Sequence, residues 1–161
     1  MALVIEDGTG RIDADSFVSV ADADIYHSGR GNTAWASLTS DVKEQRLRNA
    51  ASYLSFSWSY GGSLYNLDQA LAFPRLINGV KYDVSGAPAR VKQAQMELAL
   101  QASLTGASAV GTAQVIRQKV DVIETEYAEG VVSTSERYPY VTNLLVPYLD
   151  GGPGQLKMVR A

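Results

Sequence analysis

Few residues of this chain have the type and spacing that chemistry requires. His27 is the sole histidine among 161 residues, and cysteine is absent. A two-histidine metal site, a thiolate site, a disulfide and a cysteine nucleophile all fall away on that ground. A serine–histidine–aspartate triad would have to rest on His27. That residue stands beside Tyr26, and no HxxxH, HExxH or GxSxG pattern occurs anywhere. An ordinary surface or interface histidine is expected.

Asp13, Asp15, Asp22 and Asp24 form an acidic set that brings calcium to mind. Calcium loops of the EF-hand kind place ligands at alternate positions around a central glycine and close on a glutamate, and that pattern is missing. Gly8-Thr9-Gly10 and the Gly-Gly-Pro-Gly run at 151–154 lack both the phosphate-cradling GxxxxGK[ST] pattern and the strand-to-helix context of GxGxxG. The expectation is no catalytic, cofactor-binding or metal-binding residue, and no enzyme.

Tyr53, Phe56, Trp58 and Tyr60 could stack nucleobases. Stacking surfaces interleave aromatics with cations, yet no lysine or arginine lies between Arg48 and Arg75. Packing in the core or at a subunit interface is the expected use. The overall charge agrees: 14 basic against 17 acidic residues give −3, the wrong sign for a protein held on DNA by phosphate contacts.

The elements that would position these residues read as follows. Ser19 with Asp22 makes a capping box that starts a helix near Val20 and ends at Gly29 and Gly31. Thr39 or Ser40 caps a second helix, with Val42, Leu47, Ala50, Ala51 and Leu54 at helical spacing and a Glu44–Arg48 pair. Residues 61–87 are the least regular stretch. Pro88 opens a third helix that runs to about Leu104. Residues 115–127 alternate as a strand, with a turn at Gly130 and a return strand from Val131. Pro139 opens a fourth helix, shortened by Pro147.

The fold class expected is mainly α: a compact bundle of about four helices, a small β-hairpin, and extended N- and C-terminal arms. Residues 1–150 form a single helical domain with the hairpin near 115–133, and 151–161 form a flexible docking tail. With 46% apolar and 19% charged residues the chain is globular. No apolar run approaches the roughly 18 residues of a membrane span. The opening MALVIEDGTG lacks the basic start of a signal peptide, so the protein is expected to be intracellular when made.

Several segments, taken in order, carry a resemblance: FVSVADADIYHSGRGNTAWASL (17–38), QALAFPR (69–75), APARVKQAQMELAL (87–100), KVDVIETEYAEG (119–130), YPYVTNLLVPYL (138–149) and the closing KMVRA. Together they resemble a family of tailed bacteriophages and prophages whose members are often labelled DnaT-like single-stranded DNA-binding proteins. That family is similar to head–tail connector (adaptor, head-completion) proteins. The resemblance implies a mainly helical subunit in a closed homo-oligomeric ring of about twelve copies. Such a ring binds the portal protein on one side and a tail, stopper or terminator protein on the other. Phage double-stranded DNA passes through its lumen without specific binding. The implied location is the virion neck, after synthesis in the host bacterial cytoplasm, with no cofactor and no membrane partner. The label itself implies the alternative, a single-stranded DNA-binding or primosome-like module.

Within the connector reading, Leu156, Lys157, Met158, Val159 and Arg160 are the candidate portal-docking residues, leaving the domain through the glycine-rich hinge. Trp35, Tyr53, Phe56 and Trp58 are candidate subunit-interface anchors, because tryptophan and tyrosine are enriched at such contacts; the core is the competing use for each. Val122 and Ile123 are candidate interface residues of a projecting hairpin.

Overall fold

A computed structural model describes residues 3–77, 80–81, 86–102, 104, 115–119, 124–127 and 138–150, with backbone alone for 80–81, 115–119 and 124–127. In chain order the elements are α1 (Val20–Ser28), α2 (Thr33–Ala36), α3 (Ser40–Ser57), β1 (Ser63–Leu64), β2 (Arg75–Ile77), β3 (Val80–Lys81), α4 (Ala89–Ala99), β4 (Val115–Lys119), β5 (Glu124–Tyr127) and α5 (Pro139–Leu145). A 3-10 turn, Val146–Tyr148, follows α5. The fold is mainly helical with a small antiparallel hairpin, as the sequence suggests.

The helix starts follow their expected chemistry. The Asp22 N–H donates to Ser19 Oγ (3.0 Å) and the Ser19 N–H donates back to Asp22 Oδ2 (3.3 Å), the two halves of a capping box. Thr39 caps α3 through Oγ1, and Glu44 and Arg48 pair one turn apart at 3.5 Å. Pro139 occupies the first position of α5, where its missing N–H costs nothing. Pro147 falls in the 3-10 turn that ends it.

Helix α4 is the central element: it packs on α3, α5 and α1. Val91, Ala94, Gln95, Met96, Leu98 and Ala99 are all buried. It stops at Ala99, short of the Leu104 expected, and Pro88 is its N-cap instead of its first residue. The early stop has a physical reason, since Arg46 Nη1 of α3 donates to the Leu100 carbonyl (3.2 Å) and satisfies an acceptor freed by the helix end.

Three features were not foreseen. The four-residue helix α2 lies between the first two expected helices. The irregular stretch contains a three-stranded antiparallel sheet, ordered β1-β2-β3, with Ser63 opposite Leu76 and Ile77 opposite Val80. The hairpin lies wholly inside the run read as one strand: Val115 pairs with Tyr127 and Lys119 with Glu124. The return strand expected from Val131 lies outside the described residues. Alternation of apolar and polar residues reveals a strand but not where it reverses.

The opening strip runs out and back against the body. Ile5 and Ser16 form a parallel bridge, and the Glu6 N–H donates to the Ser16 carbonyl (2.9 Å). Two glycines make close approaches possible. Gly62 has φ 75°, and a Cβ there would collide with the Leu76 carbonyl oxygen. Gly86 has φ 107°, and its Cβ would sit 2.6 Å from the Glu6 carbonyl oxygen. Only glycine fits both the dihedral and the space.

The strip is tied to α3 and α4 by one buried amide. The Phe17 N–H donates to Gln95 Oε1 (3.0 Å), while Gln95 Nε2 donates to Ser16 Oγ (2.7 Å) and to the Leu47 carbonyl (2.9 Å). Replacing Gln95 by leucine keeps the volume but leaves the buried Phe17 N–H without its acceptor. A loss of about 2–4 kcal/mol is expected, read as a lower urea midpoint at unchanged slope.

Candidate interaction surface

Aromatic residues 53–60 divide between interior and surface. Tyr53 is buried, edge-on to Trp58 (centroids 5.8 Å) and to Tyr138 (5.8 Å). Trp58 is half-buried, and its Nε1 donates to Thr142 Oγ1 of α5 (3.2 Å). Tyr60 is buried against Phe73, which in turn meets Tyr148 and Phe17. Its hydroxyl donates to the Leu54 carbonyl (2.8 Å), and burial pushes its pKa up. These rings fasten the end of α3 to α5. Phe56 alone points outward, 79% exposed.

Trp35 is 1% exposed and belongs to the core. Of the four candidate interface anchors on the helical body, Trp35 and Tyr53 are therefore core residues of this chain. Trp58 is shared between core and surface, and only Phe56 is freely presented. Val122, Ile123 and the segment Leu156, Lys157, Met158, Val159, Arg160 lie outside the described residues.

Around Trp35 a notch of about 340 Å³ opens between α1, α2 and α3. Trp35 Nε1 and Lys43 Nζ both donate to Asp24 Oδ1, at 2.7 and 2.8 Å. Burial works against the charge on Asp24, but the bonds from Lys43 and Trp35 outweigh it and hold the carboxyl below its ordinary range. Asp24 is thus satisfied within the notch by Trp35 and Lys43.

His27 departs from the surface position expected, being fully buried. Its ring lies on Trp35 (centroids 4.6 Å) and meets Tyr26 edge-on (5.2 Å). Nδ1 lies 3.0 Å from Asn32 Nδ2; with the amide as donor, the proton is assigned to Nε2. Nε2 completes no hydrogen bond among the described residues. Burial lowers the pKa, against the opposing influence of Glu97, the Met96 carbonyl and Asp24, while Arg30 adds to the lowering. This burial has no local pattern behind it, since Trp35 on α2 is what lies against the ring.

The acidic set resolves into separate structural roles. Asp13 takes two bonds from Arg11 (2.9 and 3.0 Å), Asp15 pairs with Arg48 (3.2 Å), Asp22 caps α1 and Asp24 holds Lys43. Among the described residues no group of three or more potential ligands could hold a metal. In the loop at Gly8-Thr9-Gly10, the buried Glu6 carboxylate accepts from the N–H groups of Gly8, Gly10 and Arg11 at 2.8–2.9 Å. The donors that would cradle a phosphate are filled by the chain's own carboxylate.

Several cations among the described residues are similarly engaged. Arg11, Lys43 and Arg48 face carboxylates. Arg30 lies 3.5 Å over the Tyr26 ring, whose hydroxyl donates to Glu97 Oε1 (2.6 Å). Arg75 donates to the carbonyls of Tyr60, Gly61 and Gly62. The large apolar side chains most exposed are Leu67 (87%), Phe56 (79%), Ile25 (74%) and Ile12 (70%), and Tyr140 and Tyr65 are exposed as well, beside charged residues such as Arg90 and Asp68.

A family model described as "Putative DnaT-like ssDNA binding protein" matches residues 1–161. No curated protein and no solved structure matches the chain.

The buried imidazole yields a pH-dependent stability. Its folded pKa lies below the ordinary 6.5, so the unfolded chain takes up the proton first as pH falls. Stability is therefore lost below about pH 6.5, with a slope of at most about 1.4 kcal/mol per pH unit from this group. Urea midpoints measured between about pH 8 and pH 5.5 should fall with acidity in the native chain and vary less in His27→Gln.

Proposed function

We propose a function from one premise: the chain belongs to the DnaT-like family that matches it from end to end. The protein is a non-enzymatic subunit that works by gripping other proteins, as a head–tail connector of a tailed phage. In this reading about twelve copies close into a ring that joins the portal to a tail or stopper protein and lets duplex DNA pass. The supporting observation is the economy of the surface. Tyr53 and Tyr60 are packed inside, several cations among the described residues face carboxylates or carbonyls, and Phe56, Leu67, Ile12 and Ile25 stand outward together with Tyr65 and Tyr140. Exposed apolar side chains suit contact with protein better than with phosphate. The net acidity suits a lumen that repels DNA.

The second reading, a single-stranded DNA-binding module, is favoured by the family's own description. That description supports DNA binding directly, whereas the ring and the portal rest on the sequence resemblance. Against it stand the engaged cations and the buried Tyr53 and Tyr60.

A fluorescence titration with a single-stranded oligonucleotide at low and moderate salt separates the two. The connector reading expects weak binding; tight binding that falls steeply with salt makes the second reading correct. Light scattering of the chain with and without portal protein should show a ring-sized species. Deleting 151–161 should weaken portal binding by at least about tenfold, roughly 1.4 kcal/mol, and unchanged binding would remove the docking role of Leu156–Arg160.

A further inference from the structure

A single exposed leucine carries no message, since much of any protein surface is apolar. Leu67 differs because several hydrogen bonds hold it out. It stands second in a turn closed by the Gln69 N–H on the Asn66 carbonyl (3.2 Å). The Asn66 N–H donates to Gln69 Oε1 (3.0 Å), and the Asp68 N–H to Asn66 Oδ1 (3.2 Å). Gln69, itself buried, donates from Nε2 to the Leu71 and Pro74 carbonyls (2.7 and 3.0 Å). Asn66 Nδ2 and the Ala70 N–H donate to the carbonyls of Gly10 and Arg11 (both 3.0 Å), which lays the turn along the strip that carries Ile12. Ile12, Tyr65 and Leu67, all exposed, thus share one braced tip. Bracing matters, because little ordering entropy then opposes burial of the tip against a partner.

A recess of complementary kind lies elsewhere on the chain. The notch beside Trp35 has a wall more apolar than polar. Trp35 backs it and is closed off; the wall turned outward is made by the exposed Gly31, Thr33 and Ala36 and by Lys43, whose charge Asp24 holds. Ile25, exposed on α1, stands one turn before Ser28 and so comes to the rim. Tip and notch lie by opposite ends of α3. Lys43 is in the notch wall, whereas Ser55 Oγ accepts from the Ala72 N–H just past the turn (3.1 Å). From Lys43 to Ser55 the helix rises about 18 Å.

We infer that the tip around Leu67 of one subunit seats in the Trp35 notch of the next copy of the chain. This rests on the ring reading above and names the two surfaces that the ring joins. A closed ring requires two different faces on every subunit, each meeting its complement on a neighbour. Here one face is convex and the other concave, and a tip does not reach the notch of its own subunit across the length of α3. Charge permits the fit. Asp24 and Lys43 cancel within the notch, so Asp68 beside Leu67 meets the rim hydroxyls of Ser28 and Thr33 without a repelling net charge. Area sets the strength. A stable pair takes about 800 Å² from each partner, more than one turn and its neighbours offer. The contact is therefore weak in a lone dimer and gains from closure, where every subunit makes it twice and the last contact forms within one assembly.

The absence of cysteine permits a direct test by disulfide trapping. In Leu67→Cys/Ala36→Cys both changes fall at exposed positions, one on the tip and one in the notch wall. Mild oxidation should link this variant into a ladder of multimers on a non-reducing gel. The ladder should form several-fold faster than from the control pair Asn143→Cys/Ala36→Cys, whose first site is exposed on α5. Leu67→Cys mixed with Ala36→Cys should stop at dimers, because each subunit then carries one reactive surface. Leu67→Asp should weaken self-association at least about tenfold in sedimentation. Leu67→Cys linking to itself as fast as to Ala36→Cys, a disulfide closed within the monomer, a ladder no faster than the control, or association untouched by Leu67→Asp would each overturn the inference and leave the ring to other surfaces. A native chain that stays monomeric at every concentration, with and without portal protein, would overturn the ring and this contact together.

Discussion

The fold depends on a neutral amide placed where no water can serve it. Gln95 lies in the middle of α4 and uses both amide hydrogens and its carbonyl oxygen on three different partners. Those partners belong to the opening strip and to α3. Hydrophobic burial brings α3, α4 and α5 together without fixing their register, because apolar contact is non-directional. The amide supplies direction: it matches one backbone N–H at Phe17 and one carbonyl at Leu47, and a slide of either element would leave buried polar groups unmatched. The Tyr26–Glu97 bond does similar work for α1, which buries only Ala23 and His27 and has little apolar surface to hold it.

The same logic governs the charges. Many carboxylates and cations among the described residues face each other, the helix starts or the backbone. Glu6 shows this most clearly, since its buried carboxylate satisfies three N–H groups of its own loop.

What could be read from the sequence was local. Ser19 and Asp22, Thr39, Pro139 and Pro147 announced helix boundaries because capping and proline chemistry act over three or four residues. The sheet β1-β2-β3 stayed invisible because strands of two or three residues carry no period. The end of α4 depends on Arg46, which lies 54 residues away in sequence from the carbonyl it binds. Burial of His27 likewise depends on α2 folding Trp35 across it. The aromatic group was recognisable as a packing element, but which rings face inward is set by the approach of α5 through Tyr138 and Thr142. Trp35 and Tyr53 therefore went to the core while Phe56, one helical turn from Tyr53, did not.

The placement of the two tryptophans has an optical consequence. Trp35 sits inside the corner made by α1 and α2, and Trp58 sits where α3 hands over to α5. The indoles are thus independent reporters of different parts of the body, one shielded and one partly wetted. Emission from single-tryptophan variants would register melting of each region separately. Coincident curves would mark the helical body as one cooperative unit, and divergent curves would mark it as two.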